Sequence, residues 1–84
     1  MTKHNKLISK LLSKPKDFTW QELTKVLAGF GYEQISAGKT GGSRVRFVHA
    51  QYPSIILHRP HPQPILKHYQ IEDIINLLTQ EELL

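Results

Sequence analysis

The feature that most constrains the fold of this chain is a change in the spacing of its apolar residues at Gly31. Before that glycine the apolar side chains recur every three or four residues, which is the period of a helix with one buried face. After it they alternate with polar residues in short segments, as in strands with one buried face. The helical period then returns near the C-terminus. This order of helix, strands and helix indicates an α+β protein built around a single sheet.

The helix before Gly31 has clear start and stop signals. Thr19 and Glu22 are spaced as in a capping box, and Phe18 before the cap can pack on Leu23 as a hydrophobic staple. Gly31 supplies a left-handed stop. We therefore predict a helix over 19–30, whose buried face carries Trp20, Leu23, Val26, Leu27 and Phe30.

Two further helices are predicted, one at each end of the chain. The first covers roughly His4–Ser13 and ends before Pro15, with an apolar stripe of Leu7, Ile8, Leu11 and Leu12. The last covers roughly Tyr69–Gln80, with a stripe of Ile71, Ile74, Ile75 and Leu78. Residues 1–18 thus form an N-terminal helical extension to a core over 19–80, and 84 residues allow only one domain.

Three short strands are expected over 32–36, 43–49 and 54–58, with a glycine-rich turn over 37–42. In the second, Val45 and Phe47 face one way and Arg44 and Arg46 the other. In the third we expect Ile55 and Leu57 to face the helices, which turns His58 outward. Ile56 then lies on the exposed face. The alternative is a register in which the face that carries Ile56 packs against the helices. The prediction is a two-layer sandwich: a three-stranded antiparallel sheet with helices on one face and the other face open.

Composition excludes several classes of protein. The chain has no cysteine, so no disulfide framework or cysteine-ligated metal holds the fold together. Its apolar runs are far shorter than the ~20 residues that span a bilayer, and its N-terminus lacks a secretory hydrophobic region. We expect a cytoplasmic protein that is a monomer when free.

Charge is distributed unevenly along the chain. No carboxylate lies between Glu33 and Glu72, a stretch that contains Lys39, Arg44, Arg46, Arg59 and Lys67, and also His49, His58, His61 and His68. Such a segment is typical of a surface that binds a polyanion, most commonly RNA or DNA. The alternative is an ordinary solvated basic face.

Three common kinds of site do not fit the sequence. Gly38-Lys39-Thr40 resembles the end of a phosphate-binding loop, but the pattern requires a glycine where Glu33 stands. His58 and His61 have metal-ligand spacing without a third ligand nearby in sequence, so no metal or cofactor is expected. No Ser/His/Asp triad is visible. What remains is histidine beside arginine, a combination that can cleave RNA through its own 2′-OH without a metal.

The chain from about Trp20 to Leu78 resembles the HicA family of toxins from bacterial toxin–antitoxin systems. The resemblance rests on Gly-Phe-Gly-Tyr at 29–32, on Gly42-Ser43 leading into Arg-Val-Arg-Phe at 44–47, and on Ile-Ile-Leu-His-Arg-Pro-His-Pro at 55–62 before a closing helix. It implies a fold similar to the double-stranded RNA-binding domain, preceded here by an extra N-terminal helix. It also implies an mRNA-cleaving ribonuclease that is silenced by a HicB-like antitoxin.

One position departs from the family pattern. The family's turn usually reads Gly-Ser-His, and that histidine is regarded as catalytic, whereas this chain has Arg44 there. An arginine can hold a phosphate but cannot accept a proton near neutral pH. We therefore expect His58 to act as the acid/base with Arg44, and His61 is next in line. RNA-binding roles are expected for Lys39, Arg46, Arg59, His61 and Lys67. The alternative is a non-catalytic module that binds RNA or only the antitoxin.

Overall fold

The protein is described by a computed structural model that covers residues 3–36, 44–60 and 63–84. Three helices and three strands lie in this part of the chain, in the predicted order. They are α1 (Lys3–Leu12), α2 (Trp20–Gly29), β1 (Glu33–Ser36), β2 (Arg44–Val48), β3 (Ile55–His58) and α3 (His68–Gln80). The glycine-rich turn predicted over 37–42 lies outside the described residues.

The strands form one antiparallel sheet in the order β1-β2-β3. Phe47 of β2 is opposite Gln34 on one side and Ile55 on the other, and its side chain is buried. The next row has Arg46 between Ile35 and Ile56, and all three side chains are exposed. The α+β fold with this register is therefore confirmed. The alternative register with Ile56 against the helices is not observed. Its neighbours Ile55 and Leu57 are buried beneath the helices, and Ile56 is exposed.

The core lies between the sheet and the helices. Its central side chains, from α2, α3 and the inner face of the sheet, are those predicted: Trp20, Leu23, Leu27, Phe47, Leu57, Ile71, Ile74 and Leu78. Phe30, Val45 and Ile75 were also predicted to be core, and they are only partly buried at its margin. Phe30 is the residue that caps the C-terminal end of α2.

The ends of α2 are fixed by specific contacts. At its start the Thr19 hydroxyl accepts from the backbone N–H of Glu22 at 3.1 Å, and the Glu22 carboxylate accepts from the N–H of Thr19 at 3.0 Å. This is the predicted capping box. At its end Gly31 has φ +97°, a conformation that a residue with a Cβ rarely adopts. The Nε2 atom of His49 lies 2.8 Å from the position that a Cβ on Gly31 would take.

Helix α1 is part of the packed structure. The side chain of Leu11 is fully buried in the core, and Lys10 forms a salt bridge of 2.9 Å with Glu22 of α2. The ring of His4 lies against Gly29, where any larger residue would displace it. None of the helices in the described ranges has the length and hydrophobicity needed to cross a membrane.

Candidate functional site

The sheet has one face turned away from the helices, which we call the open face. Its exposed side chains include Ile35, Arg44, Arg46, Ile56 and His58. Alternation along each strand places them there, since their neighbours Val45, Phe47, Ile55 and Leu57 turn inward. The open face thus carries cations with isoleucines beside them, a combination suited to an anionic or amphipathic ligand.

Arg44 and His58 are cross-strand neighbours on the open face. They are directly opposite each other in the β2–β3 ladder, a position in which two Cβ atoms are about 4.5–5.5 Å apart. Both side chains are exposed, and neither has a hydrogen bond or salt bridge to another residue in the described part of the chain. A guanidinium and an imidazole are therefore available to the same ligand group.

Arg46 lies two residues further along β2, on the same face as this pair. Its Nη2 donates to the Ser54 hydroxyl at 3.3 Å, which ties the guanidinium to the loop before β3. Glu33 shares the open face at the far end of β1 but forms no salt bridge with either arginine. The positive charge of both arginines is thus not neutralised by a carboxylate within the described ranges.

A buried glutamine anchors the strand that presents His58. Gln70, only 4% exposed, is the one buried polar side chain among the described residues. Its Nε2 donates to the backbone carbonyl of His58 at 2.9 Å, and its Oε1 accepts from the backbone N–H of Lys67 at 3.0 Å. The end of β3 is thereby tied to the start of α3. Gln70 was not identified from the sequence. In a capping box, a glutamine follows a Ser or Thr by three positions, and this chain has Lys67 at that earlier position.

The other described histidines have structural contacts elsewhere. His49 accepts from the N–H of Gln51 through Nδ1 at 2.9 Å and donates to the carbonyl of Phe30 through Nε2 at 3.0 Å. Both ring nitrogens therefore have hydrogen-bond partners. His4 donates to the carbonyl of Val26 at 3.0 Å, and His68 pairs with Glu72 on α3. Of the histidines that the structure describes, His58 is the one on the open face.

Of the remaining predicted RNA-binding residues, the structure describes Arg59 and Lys67, and neither belongs to the strands of the open face. Lys39 and His61 lie outside the described residues. Lys67 is exposed at the residue before α3, close in sequence to Gln70. Arg59 lines a cavity on the helix side of the sheet, away from the open face that carries Arg44.

That cavity has a volume of about 410 Å³ and lies where α2 begins. Arg59, Gln34 of β1, and Trp20 and Thr24 of α2 contribute to its walls. The chain before α2 is held against the chain before α3 by two backbone hydrogen bonds of 2.8 Å, from Trp20 to Pro64 and from Leu66 to Phe18. This pairing fixes the walls relative to each other.

The chemistry available at these sites is that of cations, imidazole and amides. Within 3–36, 44–60 and 63–84, no three His, Asp or Glu side chains come together so that they could hold a metal ion. Among the described residues of the open face, Arg44 and Arg46 could bind a phosphate, and His58 and Glu33 could move a proton. Of these two, His58 is the one directly opposite Arg44.

Comparison with known proteins gives one match. The sequence profile of the HicA toxin of bacterial toxin–antitoxin systems matches residues 20–80. The matched segment runs from the first residue of α2 to the last of α3, so it includes the whole sheet and excludes α1. Searches of curated proteins and of solved structures found no match.

Proposed function

Since the chain belongs to the HicA toxin family of bacterial toxin–antitoxin systems, we propose that it is an mRNA interferase that cleaves RNA on the open face. The observation that most supports this is the pairing of Arg44 with His58 across β2 and β3. Both side chains are exposed and without partners in the described chain. Metal-independent cleavage of RNA requires such a pair: one group that exchanges a proton and one that stabilises charge on phosphate.

His58 is the proton-transfer group in this proposal. The 2′-hydroxyl oxygen attacks the adjacent phosphorus, and the bond from phosphorus to the 5′ oxygen breaks. His58 accepts the proton of the 2′-hydroxyl, and the departing 5′ oxygen takes a proton from water. The products are a 2′,3′-cyclic phosphate and a 5′-hydroxyl, and the imidazolium then returns its proton to the solvent. Imidazole exchanges protons near neutral pH, whereas guanidinium does not.

Arg44 and Arg46 bind the phosphate and stabilise the charge that develops on it. Guanidinium groups contact phosphate oxygens through two parallel N–H donors, which suits both the bound state and the phosphorane-like transition state. Arg44 occupies the position at which the family usually has histidine, so the cation stands where the proton-transfer group is expected. His58, directly across the ladder, takes that role.

A second candidate function is supported by the isoleucines of the open face. Ile35 and Ile56 are 45% and 53% exposed and flank Arg46 in one row. Such a row suits a protein partner with apolar and acidic residues, and we propose that a HicB-like antitoxin binds there and blocks access of RNA. With Arg44 in place of the family histidine, the chain could serve only in this binding role.

An RNA-cleavage assay of the purified chain in EDTA separates the two candidates. The ribonuclease proposal predicts fragments that end in 2′,3′-cyclic phosphate, at an unchanged rate when EDTA is added. Binding of RNA or antitoxin without any cleavage would favour the second candidate. Cleavage that EDTA abolishes would contradict the proposed chemistry.

A further inference from the structure

The cavity beside α2 is separate from the open face but adjacent to it along the chain. Gln34, on its wall, is opposite the buried Phe47, so it turns toward the helices, while the next residue, Ile35, lies on the open face. Arg59, also on the wall, directly follows His58. A ligand in the cavity would therefore lie close to one held between Arg44 and His58.

The walls combine a cation, amides and an aromatic ring. Arg59 and Gln34 are exposed, and neither side chain has a hydrogen bond or salt bridge within the described chain. The Thr24 hydroxyl donates to the carbonyl of Gln21 at 2.7 Å, which leaves its lone pairs free to accept. The cavity thus offers a positive charge together with hydrogen-bond donors and acceptors.

Trp20 contributes a largely buried side chain to the wall of this cavity. Its side chain is only 4% exposed, and its indole N–H has no hydrogen-bond partner among the described residues. Trp20 is among the residues that line the cavity, so a ligand there changes the surroundings of its indole. Buried indole N–H groups usually have a partner.

The start of α2 does not itself supply an anion site. The Thr19 hydroxyl and the Glu22 carboxylate already satisfy amides of the first turn, and Glu22 brings a negative charge there. Recognition in the cavity must therefore come from the side chains, and a bare phosphate would use only Arg59. A ligand that uses all of the walls needs an anionic group, a ring and polar edges.

We propose that this cavity binds one unpaired nucleotide of the RNA substrate, with Arg59 on its phosphate and the Gln34 amide on the edge of its base. The inference rests on the proposed ribonuclease function. A volume of about 410 Å³ is near the lower end of the range of roughly 300–1,000 Å³ for small-molecule sites. Sequence-specific recognition of RNA targets bases that are splayed out of a single strand. In this arrangement the open face binds the phosphate backbone of the RNA, and the cavity selects the sequence that is cut.

Trp20 is the only tryptophan in the chain, so its indole N–H gives a single NMR signal from the cavity wall. The full-length protein is titrated with AMP, GMP, CMP and UMP, and with inorganic phosphate as a control. We expect at least one nucleotide to shift the indole signal saturably, and phosphate alone to leave it unchanged. The substitution Gln34→Ala should weaken that nucleotide's binding by roughly two- to tenfold, as loss of one hydrogen bond does.

A matched control is Gln80→Ala, which removes an exposed amide at the end of α3, outside the cavity walls. It should leave the indole response to nucleotides unchanged, with an otherwise native spectrum. The inference is overturned if no nucleotide shifts the signal, if phosphate shifts it as much, or if Gln34→Ala binds like the parent. A protein that cleaves RNA without the indole response refutes this inference alone. One that shows the response without cleaving RNA refutes the ribonuclease proposal alone.

Discussion

At the scale of single residues, the central feature is an arginine and a histidine facing each other across β2 and β3. The family resemblance places Arg44 at the position of the family's usual histidine. We therefore expect Arg44→His to raise the rate of RNA cleavage by at least about tenfold, since it adds a second group able to exchange a proton. The rate is measured at saturating RNA.

The matched control for this substitution is Arg46→His on the same face. It removes a phosphate contact without restoring the family pattern, so it should weaken RNA binding and should not raise the rate of cleavage. If Arg44→His and Arg46→His have the same effect on the rate, the assignment of Arg44 to the family histidine position is wrong.

Gln70 is the residue whose loss should disturb β3 most. The substitution Gln70→Leu leaves the carbonyl of His58 and the N–H of Lys67 without their partner. Leaving a buried polar group unsatisfied destabilises a protein by about 1–3 kcal/mol. We expect a decrease of that size in the free energy of unfolding, measured by urea titration. The exposed Gln80→Leu, in the same helix, should change it by less than about 0.5 kcal/mol. Equal effects of the two substitutions on the free energy of unfolding would contradict a role for Gln70 in tying β3 to α3.

At the scale of elements, the contact between α1 and α2 depends on the charge of Glu22. Partial burial alone would raise the pKa of its carboxyl. The N–H of Thr19 and the ammonium of Lys10 nevertheless hold this pKa below its ordinary value of 4.5. A carboxyl whose pKa is lower in the folded state stabilises the fold above its unfolded pKa, and this stabilisation is lost as pH falls.

The substitution Glu22→Gln should therefore destabilise the protein at pH 7. The difference in stability between Glu22→Gln and the parent should shrink as pH falls below about 4.5. Thermal unfolding across this pH range measures it. Asp73→Asn, an exposed carboxylate on α3 without a salt bridge to the described residues, is the control and should show no such trend. A Glu22→Gln difference that is constant with pH would contradict this role for Glu22.

The elements were predictable from sequence because their signals are local. The capping box, the positive φ of Gly31 and the alternation in β2 each depend on residues within a few positions of one another. The contacts that build the sites join distant residues. Gln70 reaches the carbonyl of His58 across 12 positions, and the cavity brings Trp20 to Arg59. No spacing in the sequence encodes such contacts, so Gln70 and the cavity could only be found in the structure.

At the scale of the whole molecule, the described arginines in the middle of the chain are divided between two surfaces. Arg44 and Arg46 lie on the open face, and Arg59 lies at the cavity. Contacts to phosphates release counterions, so RNA affinity should fall as salt rises. We expect Arg46→Ala to reduce the slope of log affinity against log salt by about 0.7–1. Lys25→Ala, on the exposed side of α2, should leave this slope unchanged. An affinity that does not depend on salt would contradict binding through the open face.

The helix α1 lies outside the segment that matches the family, yet it completes the fold. Leu11 and Phe18 are fully buried, and both precede the matched residues 20–80. The family core in this protein is therefore packed against its own N-terminal helix.

The measurement that tests the account most directly is the single-turnover rate of RNA cleavage by the parent and by His58→Gln, with EDTA present. Loss of a general acid/base typically lowers a rate by ~10²–10⁴-fold. The account predicts a loss of this size with RNA affinity nearly unchanged, because Arg44 and Arg46 still bind the phosphates. Cleavage by His58→Gln at the rate of the parent would contradict it.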